Sequence, residues 1–210
     1  MITKIQERYE SESAGSCNLS CGNNIDFLDI RPGELILDLG CGRGAETIMA
    51  AELCGPEGKA IGLDITEAMI EAAKENAKAA GYENVEFVSG NIENLPFEAN
   101  MFDAVMSNCV INHARDKYRV YEEINRVLKA GGRFVISDAV TKTPLPAEVK
   151  NDAEAWAQCY GGAVTEQEYF AGIQKAGFGN IEVLKRREYL KNGYDFISLT
   201  IKADKIPERR

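Results

Sequence analysis

The chain has 210 residues, 45% of them apolar and 27% charged, with a formal net charge of −9. That length suits one α/β core, and the acidic balance argues against a nucleic-acid partner, because phosphate binding needs concentrated Lys and Arg. No apolar stretch approaches the ~20 residues of a membrane span, and the opening MITKIQERYE is too polar for a secretory signal, so the expectation is a cytoplasmic protein with a small-molecule substrate and no membrane partner.

Residues 1–24 are polar, carry Cys17 and Cys21, and read as an N-terminal arm; a single domain follows over 25–210. Ile25–Ile30 is a short amphipathic stretch, stopped by Arg31-Pro32-Gly33. Strand and helix patterns then alternate. Leu35–Leu39 reads as a strand, Ala45–Leu53 as a helix and Lys59–Leu63 as a strand. Glu67–Ala80 is a helix by its apolar spacing, with Thr66 at the N-cap and Gly81 past its end. Val85–Val88, Ala104–Met106 and Gly132–Ser137 read as buried strands, and Lys117–Leu128 as a helix. This alternation predicts a mostly parallel sheet with helices on both faces. Ala147–Gln158 and Glu166–Ala176 look helical. Ile181–Tyr189 and Asp195–Lys202 read as strands joined by Lys191-Asn192-Gly193, a hairpin signal, so the sheet should end in an antiparallel pair.

The most informative stretch is Leu35-Ile-Leu-Asp-Leu-Gly-Cys-Gly-Arg-Gly44: a buried strand ending in an acid, then glycines at every second position, then a helix start. That layout brings a nucleotide-like ligand against bare main-chain N–H groups. Asp64, closing the next apolar run, is the kind of acid that holds ribose hydroxyls. Dinucleotide sites prefer G-x-G-x-x-G; here the spacing is G-x-G-x-G. The ordered blocks ILDLGCGRG, IGLDIT, GNIENLPF, FDAVMSN and LKAGGRF resemble the class I S-adenosylmethionine-dependent methyltransferases. The resemblance implies a Rossmann-like fold with a seven-stranded sheet and S-adenosylmethionine as cofactor. It implies that Gly40, Gly42 and Gly44 flank the methionine and ribose portions, that Asp38 lies near the amino group, and that Asp64 accepts from the ribose. Asn91 and Ile92 would meet the adenine, with Asn standing where an acid is commoner. Ile65 and Asn108 complete the implied cofactor set.

Six cysteines and one histidine mark the rest. Without a disulfide framework they read as free thiols, metalloid ligands or redox groups. Cys41 and Cys54 read as space-filling. SCGNN before the first strand, SNCVIN after the fourth and C-x-GGA before a helix resemble the arsenite S-adenosylmethionine methyltransferases. The resemblance implies that Cys21, Cys109 and Cys159 converge as ligands of a trivalent arsenical. It also implies that enzyme thiols, a small thiol or a thioredoxin-type reductant restore trivalent arsenic after each transfer, with Cys17 as a candidate redox partner. The chemistry is consistent: a soft centre prefers thiolate to oxygen or nitrogen, and a lone-pair nucleophile needs no general base.

Two other functions stay open at this point. One is a methyltransferase with a small organic acceptor, in which His113 would suit a base. The other is a thiol-based metalloid binder without turnover. Trp156 and Tyr160 flank Cys159 and are candidate pocket walls or core residues. The chain ends at Arg210, soon after the expected hairpin, where the family usually continues, so a short form is expected.

Overall fold

The computed structural model describes residues 2–12 and 23–207, with side chains from Thr3 to Glu10 in the first segment. Cys17 and Cys21 lie outside the described residues.

The sheet has seven strands in the order β3-β2-β1-β4-β5-β7-β6. They are β1 (Leu35–Leu39), β2 (Lys59–Asp64), β3 (Val85–Ser89), β4 (Phe102–Asn108), β5 (Leu128–Thr141), β6 (Phe178–Lys191) and β7 (Tyr194–Lys205). The first five run parallel. β7 is antiparallel to both β5 and β6, as the Asn192-Gly193 turn predicts. Both turn residues have positive φ, 52° and 81°, which matches the twist of a two-residue hairpin loop.

Helices cover both faces. α4 (Lys117–Val127) and α7 (Glu166–Lys175) pack Val120, Ile124, Val127, Tyr169 and Ile173 against Leu37, Leu39 and Val105. On the other face, α2 (Ala45–Cys54) sets Ala50, Ala51 and Cys54 against Ile36, Ala60 and Ala104, joined by Ile25 and Leu28 around a 3-10 turn at Asn24–Phe27. α3 (Glu67–Ala80) adds Ile70, Ala73 and Ala77 around Phe87. Alternate residues of β1 thus serve opposite cores, as the two-residue period of a strand requires. Arg133 on β5 fastens the entry to β1: it pairs with Glu34 at 2.7 Å and donates to the carbonyls of Leu28 and Asp29.

Two elements differ from the sequence reading. The expected helix over 147–158 is two short ones, α5 (Ala147–Lys150) and α6 (Ala153–Ala157). Asp152 breaks it by capping α6, its carboxylate accepting from the Glu154 N–H at 2.9 Å. β5 begins at Leu128, earlier than Gly132: Leu128 already pairs with Phe102, and the Lys129-Ala-Gly-Gly segment is an irregularity before pairing resumes at Ala104 and Arg133. Within the segment read as an arm, Ile2–Glu12 form a helix, α1, with Ile5 buried.

Candidate active site

The site lies at the carboxyl ends of the parallel strands, where open α/β sheets place ligands. The loop after β1 is pinned at its start, since the N–H groups of Gly40 and Cys41 both donate to the Leu63 carbonyl, at 2.7 and 3.0 Å. Gly42 donates its N–H to Asp64 Oδ2 at 3.0 Å, and Asp64 Oδ1 accepts from the Thr66 N–H at 2.9 Å. Asp64 therefore joins the ends of β1 and β2. Burial raises its pKa, opposed by these N–H donors.

The three glycines do different work. All have positive φ. A side chain at Gly40 would collide with Val110, and one at Gly44 with Phe87, while one at Gly42 would stand in open space. Gly40 and Gly42 line the cavity; Gly44 is not among the lining residues and packs the start of α2 onto β3.

Asp38 is buried, accepts from Thr47 Oγ1 at 2.6 Å, and is pushed up to about 8. The main cause is burial, followed by the like charge of Glu46; Thr47 opposes and Asp64 adds a smaller push. Glu46, which the motif reading did not single out, ties three segments. Its Oε1 accepts from the Asn24 N–H at 3.0 Å and its Oε2 from Asn108 Nδ2 at 3.1 Å. At the end of β3, Asn91 Oδ1 accepts from the Glu93 N–H at 2.9 Å and shapes the turn that carries Ile92.

The opposite wall holds the thiols. Cys109 follows β4 with φ of 58°, and Cys159 follows α6 with φ of 62°. Left-handed backbone is uncommon for a residue with a side chain and tends to mark functional positions. The glycines of C-x-GGA explain how the second segment arrives: a Cβ at Gly162 would sit 1.9 Å from the Asn112 carbonyl oxygen, so only glycine lets this segment lie on the turn after β4. Asn112 is itself fixed, its Nδ2 donating to Asp138 and to the Ala139 carbonyl, both at 2.7 Å. Cys41, Cys54 and Cys159 are free thiols, and Cys109 takes part in a disulfide.

His113 stands half-buried beside Cys159, with Nε2 3.0 Å from its sulfur, and is held down to about 4, chiefly by desolvation. α1 closes this side. Tyr9 Oη lies 3.1 Å from His113 Nε2 and 3.3 Å from Cys159 Sγ, and Arg8 Nη1 is 3.7 Å from the same sulfur and also donates to the Ala157 carbonyl. Gln6 reaches the Ile65 carbonyl on the other wall, at 3.3 Å. The polar sequence of α1 gave no signal of this position.

A single cavity of about 330 Å³ joins the two walls. Of the residues expected at the site, Asp38, Gly40, Gly42, Asp64, Ile65, Asn91, Ile92, Asn108, Cys109 and Cys159 line it. Trp156 and Tyr160 do not: Trp156 is buried with its indole N–H on the Lys150 carbonyl, and Tyr160 packs against Phe196.

The sequence of residues 30–189 matches a family model described as a methyltransferase domain. The chain is 42% identical over 170 residues to an arsenite methyltransferase of Halobacterium salinarum, covering 81% of this chain and 44% of that protein. It is 35% identical over 144 residues to a demethylmenaquinone methyltransferase of Symbiobacterium thermophilum, covering 66% of this chain and 57% of that one. The crystal structure of CrArsM, an arsenic(III) S-adenosylmethionine methyltransferase from Chlamydomonas reinhardtii, superposes with a TM-score of 0.82 at 31% identity, over 97% of this chain and 75% of that one. The chain belongs to the arsenite S-adenosylmethionine methyltransferase family. It spans about half the length of the curated relatives it matches.

The cofactor of arsenite S-adenosylmethionine methyltransferases suits the donor set here. The charges felt by Asp38 are those of Glu46 and Asp64, both of which disfavour its ionised form. A ligand carrying an ammonium and a sulfonium relieves that repulsion, and the open space over Gly42 admits it.

Proposed function

We propose that this chain transfers a methyl group from S-adenosylmethionine to trivalent arsenic, as arsenite or methylarsenite, held by the thiolates of Cys21, Cys109 and Cys159. The observation that carries this reading is that Cys109 and Cys159 line the same cavity as Asp38, Gly42 and Asp64. They come from segments remote in sequence, and both stand on left-handed backbone.

The cofactor supplies an electrophilic methyl on a sulfonium. Asp38 holds its ammonium end, Asp64 its ribose, and Asn91 with Ile92 its adenine. The thiolates replace arsenic-bound hydroxides and fix the arsenic as a pyramid with its lone pair outward. Convergence of two bound reactants is worth roughly 7–11 kcal/mol in favourable cases, and no base is required at arsenic. α1 covers the cavity and excludes water. The disulfide at Cys109 must be opened before that sulfur binds arsenic, so a small thiol or a thioredoxin-type protein is the reductant. Arsenic detoxification in the cytoplasm is the setting this chemistry suits.

A second reading keeps the cofactor and gives it an organic acceptor; similarity to the demethylmenaquinone methyltransferase favours it. One assay separates the readings. Methyl-labelled cofactor, arsenite and excess thiol are incubated with wild type, Cys109→Ser and Cys159→Ser. Labelled methylarsenicals from wild type, with near-complete loss in both variants and cofactor affinity retained, support the arsenical. Equal turnover in the serine variants sinks the thiol site.

A further inference from the structure

We propose that His113 is a positioning residue of the acceptor site: its Nε2 clamps the Cys159 sulfur and the Tyr9 hydroxyl together, so that one imidazole both aims the thiol into the cavity and docks α1 over it. The proposal rests on the reading of Cys159 as an arsenic ligand, and it assigns a task to a residue that methyl transfer to a lone pair leaves unused.

Three observations carry it. The first is distance. Nε2 stands 3.0 Å from Cys159 Sγ and 3.1 Å from Tyr9 Oη, and those two atoms are 3.3 Å from each other, so three polar atoms from three remote segments form one triangle. The rings of Tyr9 and His113 meet edge to face at 5.7 Å. The second is where each segment gets its rigidity. His113 closes a 3-10 turn whose Asn112 is bound to Asp138 and Ala139, so the imidazole stands on a fixed base. Cys159, by contrast, follows a helix of five residues and sits on strained backbone. A thiol at such a position needs an external partner to hold one rotamer. The third is the cost of replacement. The ring is half-buried between two polar atoms, and an apolar group in its place would leave the sulfur and the hydroxyl each short of a partner.

The consequence is coupling. With His113 in place, seating α1 and orienting Cys159 are one event. Without it, the Tyr9 hydroxyl and the Cys159 sulfur each lose a polar partner, and both α1 and the thiol are held less firmly.

The test compares wild type with His113→Leu, His113→Gln and Tyr9→Phe. Glutamine keeps a polar atom near the position of Nε2; leucine fills the space without one. Alkylation of Cys159 by iodoacetamide is followed by mass spectrometry of its peptide, cleavage after Arg8 by limited trypsin, and cofactor affinity by calorimetry as a check of folding. Expected are roughly fivefold faster Cys159 labelling and Arg8 cleavage in His113→Leu, an intermediate rise in Tyr9→Phe, and rates within about twofold of wild type in His113→Gln. With arsenite and thiol present, His113→Leu should raise the acceptor KM about tenfold with a smaller change in kcat. Wild-type labelling and KM in His113→Leu overturn the clamp, and so does a glutamine variant as impaired as leucine, which would mean packing alone. Should His113→Leu fail to bind cofactor, unchanged labelling in Tyr9→Phe overturns it instead. If wild type makes no methylarsenical, the arsenic reading falls, while labelling and cleavage still decide the clamp.

Discussion

Asn108 Nδ2 donates to Glu46 at 3.1 Å and thereby joins the end of β4 to the first turn of α2. The other oxygen of that carboxylate holds the Asn24 N–H, and Asn24 in turn bonds the Ser107 carbonyl and the Ser137 hydroxyl. Cys109 follows Asn108 directly, so its place depends on this chain of bonds. Glu46→Ala should weaken cofactor binding about tenfold, since hydrogen bonds to a charged group contribute about 1.5–3 kcal/mol. Calorimetric titration of S-adenosylmethionine checks it; an unchanged affinity would deny the bridge any role.

Asp38 predicts a pH dependence of stability. Its pKa in the fold is about 8 against an ordinary 3.8, raised mainly by burial. Between those values the fold keeps a proton that the unfolded chain has released, so this group lowers stability as pH rises through the window. Below it and above it the contribution is constant. Relative to wild type without ligand, Asp38→Asn should gain stability from about pH 4 to about pH 8 and level off beyond. Urea unfolding at several pH values measures the difference. The same variant should bind cofactor at least tenfold more weakly at pH 8, by roughly the worth of a charge-assisted bond.

Alanine at the three loop glycines should give three distinct outcomes. Gly44→Ala forces a Cβ to within 2.7 Å of the Phe87 ring at φ of 81° and should cost about 2–4 kcal/mol of stability. Gly40→Ala pushes Val110, the neighbour of Cys109, and should damage cofactor affinity and acceptor KM together. Gly42→Ala meets open space, so the protein should fold with a loss of about 1–2 kcal/mol from backbone strain, yet bind cofactor poorly. Thermal unfolding beside cofactor titration separates them.

Arg133→Ala should destabilise the fold by about 3–5 kcal/mol, because it strands Glu34 and two carbonyls in a largely buried place. Burial pushes Glu34 up, but Arg133 and the Arg31 N–H outweigh it and leave the carboxyl below its usual range. Denaturant unfolding gives the number; a change under 1 kcal/mol would show that the pair is solvated.

The parallel sheet and its closing antiparallel pair were legible because their cues are local. Apolar runs, helix-period stretches and Asn192-Gly193 each act within a few residues, and topology rules assemble them. One wall of the cavity was legible for the same reason: Asp38, Gly42 and Asp64 stand at or just past strand ends and line it. What escaped depends on partners remote in sequence. Glu46 is one acid in an ordinary helix until Asn24 and Asn108 meet it. α1 carries few apolar residues, and its role comes from Tyr9 and Arg8 reaching Cys159. The break at Asp152 was readable in principle, as Asp is a strong N-cap, but the helical composition on either side masked it.

The β6–β7 turn has a consequence for the mouth of the cavity. Lys191, the last residue of β6, lines that cavity and gives its ammonium to the Gln158 carbonyl at 3.0 Å, one residue before Cys159. Its side is set by the pairing of Lys191 with Tyr194 across two turn residues. Adding one residue to β6 ahead of it would turn the lysine to the opposite face of the ribbon. The length of a distant strand is thus a gauge for the entrance, and insertions among related chains should be suppressed in the last residues of this strand.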